Sequence, residues 1–134
     1  METLQAEIIL GTMEFVSYNT AKLAKEKGFE GTSKVYYDIT GGLYTQTYSD
    51  GIGYIPNFSC YAPLQEELSS WLRDDRGTHI SIIAVNKNRM RYYAYIIYTP
   101  NSVISSDTEL TEELFICYTD ALEAALVITL NVLQ

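Results

Sequence analysis

The chain has 134 residues, 47% of them hydrophobic and 19% charged, with a formal net charge of -8. That length suits one domain able to bury a core without disulfide or metal staples. The negative balance argues against general binding of nucleic acid, which draws its affinity from Lys and Arg. The charge is uneven: residues 101–134 hold Asp107, Glu109, Glu112, Glu113, Asp120 and Glu123 and no Lys or Arg. Cys60 and Cys117 are far apart, and with the one histidine, His79, they assemble no common zinc site. No metal or other cofactor is expected. "METLQAEIIL" has no basic n-region and is interrupted by Glu2 and Glu7, so it does not read as a signal peptide, and no apolar run approaches the ~20 residues of a membrane span. The expected setting is cytoplasmic, with no membrane partner.

Residues 1–12 read as an N-terminal arm ended near Gly11, and residues 13–134 as a single α+β domain. "FVSYNTAKLAKEKGF" predicts a helix that Ser17 or Asn19 caps and Gly28 ends, with lysines near its carbonyl end. The period then changes. Gly41-Gly42 and Asp50-Gly51 are hairpin signals, and "LYTQTY" alternates between them, so a small β-meander is expected from about Val35 to Ile55. Tyr44, Gln46 and Tyr48 share one face of that strand, Leu43, Thr45 and Thr47 the other.

Pro63 opens a second helix, on which Leu64, Leu68, Trp71 and Leu72 form one apolar stripe. "THISIIAV", the turn "NKNR" and "MRYYAYIIY" make a hairpin, followed by a polar loop from Pro100. "FICYTDALEAALVITLNVL" keeps helical spacing, although Val127, Ile128 and Thr129 are β-branched and weaken it. The expected architecture is an antiparallel sheet, meander plus hairpin, packed with about three helices. The alternative is an RRM-like βαββαβ order with residues 127–133 as a last strand. "FVSYNTAKLA" and "FICYTDALEA" echo each other. Ten residues are too few for a repeat architecture, so both read as one kind of junction, a short strand entering a helix.

"FVSYNTAKLAKEKGFEG", "APLQEELSSWLRDDRGTHISI", "YYAYII" and "CYTDALEAALVITLNVL" together resemble a family of small proteins encoded by Bacteroidetes prophages. Thr119-Asp120 stand where that family has an acidic pair, and Leu64 where it has a threonine cap. The resemblance implies a fold, a phage-like origin and a cytoplasmic setting, and carries no catalytic residues.

Residues 91–98 nearly fit the octapeptide by which an RRM stacks RNA bases, with Arg91, Tyr93 and Tyr95 as the reading side chains. Tyr92 stands where glycine belongs, and half-buried strands give the same alternation. Asp74, Asp75 and His79 cluster in sequence, but solvated turn residues have that composition too. No nucleophile elbow or phosphate loop is present, so the chain reads as a binder and not an enzyme. The acidic last third offers a further reading, as a DNA mimic that inhibits a host protein. The favoured reading is a small accessory protein that binds a protein of phage or host, with homo-oligomerisation open. Twelve tyrosines supply interface anchors, Tyr44, Gln46 and Tyr48 first among them.

Overall fold

The computed structural model describes residues 14–31, 34–45, 57–108 and 112–133. The chain is α+β, with three helices and two three-stranded antiparallel sheets among those residues. It divides into two compact units, Met1–Leu64 and Gln65–Gln134. The expected meander and hairpin therefore contribute to two separate sheets, one in each unit. The N-terminal arm, residues 1–12, lies outside the described residues.

In the first unit, helix α1 (Tyr18–Glu26) starts at Ser17, whose Oγ accepts from the Thr20 N–H at 3.2 Å. That choice between Ser17 and Asn19 satisfies one of the donors a helix start leaves unpaired. At the other end Gly28 takes φ +104°, the left-handed conformation that suits glycine. It lets the Phe29 N–H reach Ala24 O at 3.0 Å and the Gly28 N–H reach Lys25 O at 3.1 Å, a Schellman stop.

Strands β1 (Val35–Asp38), β2 (Leu43–Thr45) and β3 (Phe58–Tyr61) form the sheet in the order β2-β1-β3. A meander running from Val35 to Ile55 would put the second strand in the middle. Among the described residues β1 is central and the third strand is Phe58–Tyr61; residues 46–55 of the expected meander lie outside the described residues. Val35 and Tyr37 of the central strand are buried on the core side. The register places Leu43, Tyr37 and Cys60 in one cross-strand row. Val16, Thr20, Ala21 and Ala24 are buried with Tyr37 and Cys60 in the core of this unit. The Tyr37 hydroxyl donates to Val16 O at 2.5 Å, which satisfies the polar tip of a buried ring.

In the second unit, helix α2 (Gln65–Arg76) begins two residues after Pro63 and buries Leu68 and Leu72 completely. Strands β4 (His79–Lys87) and β5 (Met90–Tyr98) pair over nine residues without a register shift. Asn88 and Arg89, at φ +53° and +65°, form the two-residue turn whose twist matches such a hairpin. The segment after Pro100 is not all loop: Val103–Ser105 form β6 and pair with β5. The β-branched Val103 and Ile104 and the open edge of β5 favour a strand there.

Helix α3 (Tyr118–Val132) is the last element of the described residues. The RRM-like order is thereby corrected, since residues 127–132 are helical and leave no last strand. Ala121, Leu122, Ala125, Leu126, Thr129 and Leu130 are buried on one side. That burial outweighs the weak helix propensity of the β-branched run. The Thr129 hydroxyl is satisfied within the helix, donating to Ala125 O at 2.8 Å. Gln65 is buried at the base of α2 and donates to Thr119 O and to Glu123 Oε1 at 3.1 and 3.0 Å.

The echoed segments are the same junction. Phe15 makes an isolated bridge to Leu64 three residues before α1, and Phe115 one to Tyr93 three residues before α3. They differ at the cap: Ser17 bonds the helix start through its side chain, whereas Cys117 does not.

Candidate docking surface

Alternation sorts the tyrosines of the first sheet. Tyr37 points to the core, so its neighbour Tyr36 points to the other face. The register then sets Tyr44 and Tyr61 on either side of Tyr36, a cross-strand row of three tyrosines. Tyr36 and Tyr44 stack with centroids 5.7 Å apart and planes at 23°. Phe58 joins them, 5.8 Å from Tyr36 and edge-on to Tyr61 at 4.9 Å. All four rings are half-buried. They cover one another and still present apolar surface to solvent, while the Tyr44 hydroxyl turns to the Asp38 carboxyl.

The turn beneath this row is fixed by Asp38. Its Oδ1 accepts from the Thr40 hydroxyl at 2.6 Å, the Gly42 N–H at 2.9 Å and the Thr40 N–H at 3.0 Å. The Thr40 hydroxyl holds the carboxyl below its ordinary pKa, against burial, and the Gly42 and Thr40 amides and the Tyr44 hydroxyl act in the same direction. Burial raises the Tyr36 phenol above its ordinary value, with Tyr44 and Asp38 adding to the shift. Its hydroxyl is therefore a neutral donor at neutral pH.

Beside Phe58 and Tyr61 lies a cleft of about 360 Å³, lined also by Ala21, Lys25, Phe29 and Cys60. The Lys25 ammonium donates to Ser59 O at 2.9 Å and stands 5.5 Å from the Phe58 ring centroid. Burial pushes the Cys60 thiol up, so it remains protonated and acts as apolar lining.

Of the anchors expected from sequence, Tyr44 falls in this row, while Gln46 and Tyr48 lie outside the described residues. Tyr36 and Phe58 were not singled out from sequence. Their signal was the alternation of "VYYD" and "FSCY", which became legible only once the strands were paired.

The other candidates fare differently. Arg91 is exposed and reaches Asn86 Oδ1 at 3.4 Å. Tyr93 is half-buried with Tyr118 edge-on at 6.0 Å. Tyr95 is only 4% exposed, with the Phe115 ring 6.1 Å away. Burial raises its phenol, with Glu113 adding. A base cannot lie on a covered ring, so Arg91, Tyr93 and Tyr95 do not form an open stacking platform. The other face of β5 is mixed, with Ala94 fully buried and Tyr92 and Ile96 half-buried. Tyr98 is 43% exposed, and the face with Tyr95 and Ile97 is the more buried one.

Asp74 pairs with Arg73, and the His79 ring lies beside Tyr98. Among the described residues no three of His, Cys, Asp and Glu converge as a metal site would require. The acidic residues of the last third do not act as one row. Glu112 pairs with Lys87 and Glu123 accepts from Gln65, while Asp107, Glu113 and Asp120 are exposed. No described helix is long and apolar enough to cross a membrane.

No protein-family model, curated protein or solved structure matches this chain.

Proposed function

We propose that this chain is a phage-type accessory protein that acts by docking on a protein of phage or host through the row Tyr44, Tyr36, Phe58 and Tyr61. The observation that carries the reading is the row itself. Four rings on one sheet face hold one another in place and remain half exposed. A partner that covers them gains apolar contact and hydroxyl hydrogen bonds, and little side-chain entropy is lost because the rings are already ordered. The phage-type assignment rests on the sequence resemblance, and a cytoplasmic setting goes with it.

The test is affinity capture from lysate of the native host, with and without phage induction. Wild type is compared with Tyr36→Ala/Tyr44→Ala, folding being checked by circular dichroism. Loss of two interface anchors is expected to cost about 2 kcal/mol each, roughly thirtyfold in affinity per residue. A partner set unchanged in a folded double variant rejects this face.

A further inference from the structure

The second sheet carries a long strand edge whose backbone groups have no partner. Tyr93 exchanges both of its backbone bonds with Phe115, at 2.7 and 2.8 Å. Tyr95 likewise turns towards Ser106: its N–H donates to Ser106 Oγ at 3.0 Å, and its C=O accepts from the Ser106 N–H at 3.1 Å. Both residues therefore point their polar groups away from β4. In an antiparallel ladder, opposed residues either face each other with both groups or both turn away. Ala84 lies opposite Tyr93 and Ile82 opposite Tyr95. Their N–H and C=O groups accordingly point out from the sheet, and alternation adds Ile80 and Asn86.

Strand β4 pairs only with β5, and among the described residues none bonds to this outer side. Protective devices are missing as well. Natural edges carry prolines, bulges, inward charges or short strands. Strand β4 has nine residues in unbroken register, no proline, and no Lys, Arg, Asp or Glu before Lys87. Its core sequence, Ile80–Val85, is rich in β-branched residues. Ala84 and Asn86 are exposed, so the edge is open to solvent along its second half.

We propose that two copies of this chain pair antiparallel through β4, about a two-fold axis at Ile83, to make one continuous six-stranded sheet. The axis at Ile83 overlaps the strands fully. Ile82 then meets Ala84 of the second copy, and Ile80 meets Asn86. All of these residues present outward backbone groups, which gives about eight new hydrogen bonds across the seam.

A second copy fits this edge because pairing about Ile83 opposes only uncharged residues from Ile80 to Asn86, so a chain of net charge -8 meets itself here without like charges face to face. Residues 79–98 contain Lys87, Arg89 and Arg91 and no Asp or Glu, in a chain of net charge -8. Before the other end of β4, Asp74 and Asp75 are flanked by Arg73 and Arg76, and Asp74 pairs with Arg73, so that stretch is net neutral. Antiparallel pairing lays the hairpin tip of each copy, where Lys87 is already paired with Glu112, beside the net-neutral start of the other. The two tips stay a strand length apart, roughly 30 Å at ~3.4 Å per residue. That exceeds the ~8 Å screening length of physiological salt, so their mutual repulsion is small.

Light scattering of wild type at about 100 µM is expected to give twice the 15.2 kDa chain mass. Ala84→Pro removes an outward N–H and no β4–β5 bond, a place where an edge strand accepts proline. It is expected to give monomer with unchanged far-ultraviolet circular dichroism. Register is read by oxidative cross-linking in a Cys117→Ser background. There Ile83→Cys faces itself across the axis and is expected to link, whereas Val85→Cys faces Ser81 and is expected not to. Four results overturn the proposal: monomeric wild type at that concentration, a dimer that survives in folded Ala84→Pro, a mass that keeps rising with concentration, or cross-linking at Val85→Cys in place of Ile83→Cys.

Discussion

Among the described residues the two sheets have three strands each, and they are held by different physics. In the first unit the strands are three or four residues long, and β1 and β3 shift register between Tyr37 and Asp38. Order there comes from named polar contacts: the Asp38 turn, the Tyr37 hydroxyl on Val16 and the Ser17 cap. In the second unit a nine-residue hairpin keeps perfect register, and wholly buried Leu68, Leu72, Ile97, Leu126 and Leu130 supply the core. Short strands bury too little to fix themselves by area, so each polar contact carries more weight. A long hairpin with aliphatic cover tolerates the loss of any one hydrogen bond but not of a core side chain.

Two local probes separate the units in experiment. Trp71, the one tryptophan, lies in α2, and the buried Cys60 thiol lies in β3. Tryptophan fluorescence thus reports on the second unit, and the labelling rate of Cys60 in a Cys117→Ser background reports on opening of the first.

The largest effect is expected from Leu126→Ala, which opens a cavity at a fully buried site. It should cost about 3 kcal/mol, read as a lower urea midpoint of Trp71 fluorescence. A change below about 1 kcal/mol would mean that the aliphatic core does not govern the second unit.

Asp38→Ala comes next. It strips acceptors from the Thr40 and Gly42 donors and is expected to cost about 2 kcal/mol and to speed Cys60 labelling. The pH dependence has a definite sign. A carboxyl held below its ordinary pKa stabilises the fold at neutral pH, and that contribution is lost as the pH falls through the lowered value. Wild type should therefore lose stability faster than Asp38→Asn as the pH drops below about 4. Parallel acid-unfolding curves for the two proteins would remove Asp38 from the account.

Tyr37→Phe deletes one buried hydroxyl bond while keeping the ring, and about 1 kcal/mol is expected, again seen in Cys60 labelling. Thr129→Val is the smallest: it removes a bond made inside α3 and fills the same space, so a shift within about 0.5 kcal/mol is expected. A large loss there would show that α3 depends on polar contacts as the first unit does.

The sequence by itself determined the elements whose signals are local. Ser17 and Gly28 bound α1 because caps act within a single turn of helix. Asn88 and Arg89 sit where the hairpin turns, and the stripe with Leu68 and Leu72 faces the core. The α+β class and Tyr44 as a member of the aromatic face were legible in the same way. What only the tertiary structure decided is strand partnership. Nothing in "VYYD" says that it lies in the middle of its sheet, or that "FSCY" beyond residue 55 is its neighbour; that is decided by contacts with residues distant in sequence. The same pairing made Tyr36 and Phe58 part of one row, covered Tyr95 with Phe115 and turned Val103–Ser105 into a strand. Period-2 alternation distinguishes two faces and cannot tell which is covered, because cover comes from residues distant in sequence. The helical fate of Val127–Val132 was settled for the same reason, since burial of Thr129 and Leu130 outweighs a propensity difference below about 1 kcal/mol per residue.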